Sequence, residues 1–141
     1  MEMDQLYTDL ILEHNQDKRN KHELAEFTNS EHGHNPSCGD DLTLQIDVKD
    51  GVIKDAAYTG SGCAISQASA SMMIDHIKGK TVEEAHHYVD LFLGMINKEG
   101  TDDAELEELE DAMALKNISN MPARVKCAVL AWHTLKEALN K

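Results

Sequence analysis

The chain has 141 residues, with 13 Lys plus Arg against 26 Asp plus Glu and a formal charge of −13. A field of that sign repels phosphate backbones and anionic membrane surfaces, so it argues against nucleic acid and lipid as partners and for a protein with a basic patch. No apolar run reaches the length of a membrane span and no charged-then-apolar leader opens the chain, so a cytoplasmic protein of one domain is expected.

In chain order, residues 4–15 are predicted as a helix with Leu6, Leu10 and Ile11 on its apolar stripe. Residues 16–40 are polar and broken by Asn29, Gly33, Asn35 and Pro36, with room for a short strand at 22–28. Residues 42–48 alternate, placing Leu42, Leu44, Ile46 and Val48 on one face. Lys49-Asp50-Gly51 is a turn signal, and 52–59 is the return strand of a hairpin. A helix follows over 64–78, rich in small residues that suit close approach to a sheet, and Gly79 stops it. Thr81 and Glu84 form a capping box for a helix reaching about residue 98, with Ala85, Val89, Phe92 and Ile96 turned inward. Residues 99–117 are acidic, with Leu106, Leu109, Met113 and Leu115 as anchors of a short helix, and 118–121 reads as a loop. Pro122 suits the first turn of a last helix, whose stripe includes Val125, Ala128, Trp132 and Leu135. The expected class is α+β, a small antiparallel sheet with helices packed on one face.

Three cysteines cannot all pair, and a reducing compartment would not keep them paired. Each sits at a junction. Cys38 precedes the hairpin, Cys63 ends it before a helix, and Cys127 lies early in the last helix. An antiparallel hairpin returns its ends to one edge, so Cys38 and Cys63 are expected to be neighbours. Asp40, two residues from Cys38, shares its direction in extended backbone. If the last helix docks at that end, Cys127 completes three sulfurs and one carboxylate. That set suits tetrahedral Zn²⁺, and its thiolates would also suit an iron–sulfur cluster. Arg124 and Lys126, beside Cys127, are candidates to offset the site's negative charge. The alternative is three buried cysteines that only pack.

Together, Pro36-Ser37-Cys38-Gly39-Asp40, Gly60-Ser61-Gly62-Cys63-Ala64 and Arg124-Val125-Lys126-Cys127-Ala128 resemble the NifU/IscU family of iron–sulfur cluster assembly proteins. The likeness spans almost the whole chain. Lys126 stands where the IscU-type scaffolds carry His, and the acidic stretch near 100–117 lengthens the gap between the second and third cysteines. Both features look like the SufU-type branch. The resemblance implies one NifU-like domain over 1–141, with Cys38, Asp40, Cys63 and Cys127 holding zinc. It implies sulfur accepted on Cys38 from a SufS-like cysteine desulfurase and passed to downstream Suf components, a partner His replacing Cys38 on the metal. The rival functions are a scaffold for a transient 2Fe–2S cluster on the same ligands, a structural zinc module that binds a protein and, last, a thiol enzyme using Cys63 at a helix N-terminus.

The remaining histidines have plainer readings. His32 and His34 belong to a polar loop; His76, His86, His87 and His133 to helix surfaces or boundaries. Met72, Met73, Met95 and Met113 are core filler. The acidic run 102–111 is a solvated face, with docking on a basic partner as its alternative.

Overall fold

The computed structural model describes residues 3–36, 39–98 and 103–140. Its elements are α1 (Met3–Gln16), β1 (Asn29–Asn35), β2 (Asp40–Lys49), β3 (Val52–Ser61), α2 (Ala64–Ile77), α3 (Val82–Ile96), α4 (Asp103–Leu106), a 3₁₀ segment (Glu107–Asn120) and α5 (Pro122–Leu139). The strands form one antiparallel sheet in the order β1-β2-β3.

The hairpin forms where the alternation and the turn chemistry agree. Asp50 and Gly51 take φ of 55° and 77°, as a two-residue turn matched to strand twist requires. Leu42, Leu44 and Ile46 are buried on one face. A register shift between Asp47 and Val48 then interrupts the pattern, and Val48 is only half-buried.

The first strand falls at 29–35 and not at 22–28. Its sequence, Asn-Ser-Glu-His-Gly-His-Asn, has no apolar periodicity to read. It is a strand because β2 offers a free edge, with partners running from Asn29↔Ile46 to Asn35↔Asp40. Residues 20–28 instead cross the sheet. Tyr58 N–H donates to Asn20 O at the β3 edge, Leu24 N–H donates to Gln45 Oε1, and Thr28 N–H donates to Ile46 O.

Helices cover the face that carries Leu42, Leu44 and Ile46. α5 lies on β1 and β2, and α2 reaches β3. The small side chains of α2 serve helix contacts more than the sheet, because α2 packs chiefly against α1 and α5. α2 also runs back along β3, since Gly79 N–H donates to Ile53 O and Ile53 N–H donates to Lys80 O at its far end. The Thr81–Glu84 capping box forms as expected, and Pro122 occupies the first turn of α5. Phe92 stacks on Trp132, ring centroids 4.3 Å apart, inside one contiguous cluster of buried residues that joins α3 to α5.

Leu106, Leu109 and Leu115 are buried as anchors, but the expected loop at 118–121 is largely the end of the 3₁₀ segment, with Ile118 buried. That segment bends at Glu110, whose φ is 53°. Met72, Met73 and Met95 are core residues and Met113 is half-buried. Side chains before Thr8, including Leu6, lie outside those described. Among the described residues no helix is long and apolar enough to cross a membrane.

Candidate metal centre

The β2–β3 hairpin brings Asp40 and Cys63 together, because Asp41 pairs with Ser61 across it. α5 supplies the third group by running antiparallel to β1. Asn29 Nδ2 donates to Ala138 O at one end. Midway, a Cβ on Gly33 would meet Thr134 Oγ1 at 2.1 Å, so only glycine lets the helix lie this close. From Ala138 to Cys127 a helix advances about 16 Å. From Asn29 to Asn35 a strand advances about 20 Å. Cys127 therefore lands at the end of β1 where Asp40 begins β2.

One ligand atom from each of Asp40, Cys63 and Cys127 lies within 4.8 Å of the others. Asp40 and Cys127 are fully buried and Cys63 is half-buried. Neither of these cysteines is in a disulfide. Cys38, the fourth expected member, lies outside the described residues, as does Ser37.

The carboxylate is tied on one side only. Asp40 Oδ1 accepts the Cys63 N–H at 2.8 Å. Asp40 Oδ2 is buried with no hydrogen-bond partner among the described residues. A buried carboxylate oxygen without a donor is costly, and a cation between it and two sulfurs removes that cost. Two thiolates and a carboxylate are also a donor set that Zn²⁺ accepts. The residues present therefore fit a metal ion.

Local sequence explains each placement. Cys63 caps α2, with φ −70° and ψ 166°, and its Sγ accepts the Ser66 N–H at 3.4 Å. Gly60 has φ 124°, and a Cβ there would stand 2.0 Å from Asp41 O. Gly62 is needed for a different reason: a Cβ there would stand 2.5 Å from Asp40 Oδ1. Arg124 and Lys126 are exposed and make no ion pair among the described residues.

Sequence reasoning missed the support behind Cys63. Gln67 Nε2 donates to Gly62 O at 2.9 Å, and Gln67 Oε1 accepts Lys21 Nζ at 2.5 Å. Tyr58, whose hydroxyl donates to Gln67 O, is pushed by burial to about 12. A helical i, i+4 relation to Cys63 is the signal that marks Gln67. Nothing local marks Lys21.

The other histidines divide. His32 and His34 are exposed, on β1 instead of in a loop, and His32 Nε2 meets Asp41 Oδ1 at 2.8 Å. His76 is buried, not at a surface, with its ring 4.2 Å from that of Tyr88 and its Nδ1 3.4 Å from Glu110 Oε2. Glu105, Glu107, Glu108, Glu110 and Asp111 are exposed, a solvated acidic face; Asp102 lies outside the described residues.

A three-stranded antiparallel sheet, helices on one face and an Asp/Cys/Cys cluster at the sheet's end define an α+β fold with a candidate metal centre. Within that class the chain belongs to the NifU-like N-terminal domain family, whose model matches residues 6–141. It is 44% identical over 136 residues to the Thermotoga maritima protein named iron-sulfur cluster assembly scaffold protein IscU, covering 96% of this chain and 94% of the relative. It is 38% identical over 139 residues to the Bacillus subtilis protein named zinc-dependent sulfurtransferase SufU, covering 99% and 92%. The crystal structure of FiSufU from Fervidobacterium islandicum AW-1 superposes with a TM-score of 0.86 at 34% identity, covering 96% of this chain and 97% of that one.

Proposed function

We propose that this chain serves iron–sulfur cluster assembly as a zinc-dependent sulfur carrier in the cytoplasm, working with a SufS-like cysteine desulfurase and downstream Suf components. The observation that carries the metal half is the convergence of Asp40, Cys63 and Cys127 around a buried, unpartnered Asp40 Oδ2. Cys38 is the proposed fourth ligand. It lies two positions before Asp40 in the sequence. Zinc, when bound, keeps such thiols deprotonated at neutral pH.

Cys38 is the proposed acceptor. Its thiolate attacks the outer sulfur of the desulfurase persulfide. The S–S bond breaks, the desulfurase cysteine leaves as thiolate, and the outer sulfur stays on Cys38 as a new persulfide. Cys63 and Cys127 are the fixed members, one capping α2 and one buried in α5. Lys126 in place of the His of IscU-type scaffolds, and the zinc-dependent relative, support transfer over scaffolding. The second reading, a 2Fe–2S cluster assembled as cargo on the same ligands, is supported by the name of the Thermotoga relative.

Metal and acid-labile sulfide content after purification without air separates the two. One zinc per chain, no sulfide, and faster turnover of a cysteine desulfurase are the expected results. Iron with matching sulfide would replace the carrier reading by the scaffold.

A further inference from the structure

We propose that Gln67 is a positioning residue for the metal centre, fixing the Gly62–Cys63 peptide with the help of the Lys21 cation. The proposal rests on the metal reading above and adds a supporting pair to it. The C=O of Gly62 and the N–H of Cys63 belong to one peptide unit. Gln67 Nε2 donates to the first at 2.9 Å, and Asp40 Oδ1 accepts from the second at 2.8 Å. Both polar atoms of that planar unit are therefore held, from opposite sides. With the plane fixed, the Cys63 backbone keeps its extended cap geometry, and its sulfur stays within reach of Asp40 and Cys127. Gly62 has no side chain to block the approach of the Asp40 carboxylate.

The orientation of the Gln67 amide follows from its partners. Lys21 Nζ only donates, so it faces Oε1 at 2.5 Å, and the Gly62 carbonyl only accepts, so it faces Nε2. The ammonium polarises the amide and strengthens its N–H donation to the loop. A glutamate could still accept from Lys21 but would set a carboxylate against a carbonyl. The Gln67 backbone is held as well: its N–H donates to Cys63 O at 3.1 Å, and its carbonyl accepts from Tyr58 O–H at 3.4 Å.

Lys21 reaches this place because the chain after α1 is pinned to the outer edge of β3. Lys21 bridges to Tyr58 in parallel, and Asn20 O accepts the Tyr58 N–H at 3.0 Å. Asn20 is buried and donates to Ser71 O and Asp75 Oδ1. Lys21 thus stands behind the cysteine loop, whereas Arg124 and Lys126 are exposed.

The test uses the full chain with Gln67→Glu and Lys21→Met, with Asp40→Ala as the control for the centre. Three quantities are read: zinc affinity against a chromophoric chelator, the absorption spectrum of the Co²⁺-substituted protein, and the melting temperature without metal. Gln67→Glu is expected to weaken zinc by about tenfold or more and to shift the Co²⁺ bands; Lys21→Met should do the same more weakly. A merely structural pair would lower the metal-free melting temperature and leave zinc affinity and the Co²⁺ spectrum at wild-type values, which overturns the proposal. If Gln67→Glu does not fold, Lys21→Met alone decides by the same readouts. If wild type binds zinc no better than Asp40→Ala, the centre itself fails and this proposal fails with it. Wild-type binding with unchanged variants sinks the positioning role alone.

Discussion

Asp40 Oδ1 accepts the Cys63 N–H at 2.8 Å, while its second oxygen, Oδ2, is buried with no hydrogen-bond partner among the described residues. One oxygen shapes the loop, and the other faces the candidate metal centre with no donor among the described residues. Asp40→Asn keeps an acceptor for Cys63 but removes the charge. An unpartnered amide costs less to bury than an unpartnered carboxylate, so the metal-free protein should gain about 1 kcal/mol. Zinc affinity should fall by at least about tenfold. Melting curves with chelator and with zinc check both signs: the first midpoint rises and the increment between the two shrinks.

The cysteines should separate by role. Cys38→Ser is expected to abolish sulfur acceptance from a desulfurase and to leave zinc bound, because Asp40, Cys63 and Cys127 still converge. Cys63→Ser and Cys127→Ser should lower the melting temperature and lose zinc, since metal binding contributes to folding. Radiolabelled sulfur transfer and metal analysis of the three variants decide the assignment. Full transfer by Cys38→Ser would remove it as acceptor.

Two glycines separate crowding of the centre from backbone strain. A Cβ on Gly62 would meet Asp40 Oδ1 at 2.5 Å, whereas one on Gly51 meets nothing within 4 Å but sits at φ 77°. Gly62→Ala should displace the carboxylate and weaken zinc about tenfold. Gly51→Ala should cost about 1 kcal/mol of stability with zinc affinity unchanged. Chelator competition and urea unfolding on both variants provide the comparison.

Ser69 joins the helices that carry Cys63 and Cys127. Its hydroxyl donates to Ala128 O at 2.6 Å and accepts the Trp132 Nε1–H at 3.1 Å, all buried. Ser69→Ala strands the indole N–H, so a loss of about 1–3 kcal/mol is expected. Equilibrium denaturation measures it. A loss under a few tenths of a kcal/mol would mean that α2 and α5 are held by apolar contact alone.

Burial of His76 sets the sign of a pH dependence in stability. Burial is the largest influence and lowers its pKa below the ordinary 6.5, against the pull of Glu110 and a contact from Glu108; Lys80 acts with burial. The unfolded chain therefore takes up the proton first. The stability from a neutral His76 is complete above about pH 6.5 and is lost as pH falls through the lower folded value. His76→Phe keeps the ring against Tyr88 and removes that titration. Unfolding free energies from pH 7.5 to 5 should fall more for wild type than for the variant; parallel curves would refute the assignment.

The hairpin, the capping box and the start of α5 were legible because each is written in neighbouring residues. Leu42, Leu44 and Ile46 alternate, Asp50-Gly51 turns, Thr81 and Glu84 reciprocate, and Pro122 opens a helix. β1 was not legible, because six polar residues and a glycine become a strand only through the free edge of β2. The burial of His76 was equally hidden, since the residues that cover it come from α3 and the 3₁₀ segment.

For the centre, neighbouring residues nominated the candidates: cysteines at junctions, a carboxylate two residues from one of them, and a hairpin that had to return Cys63 towards Asp40. The tertiary structure alone decided that Cys127 joins them. That depends on α5 running antiparallel to β1 over Gly33, where a strand and a helix of different rise come into step at one end. It also decided which cation stands behind Cys63. Periodicity assigns faces within an element, but the meeting of Lys21, Gln67 and Gly62 depends on three segments packing at once.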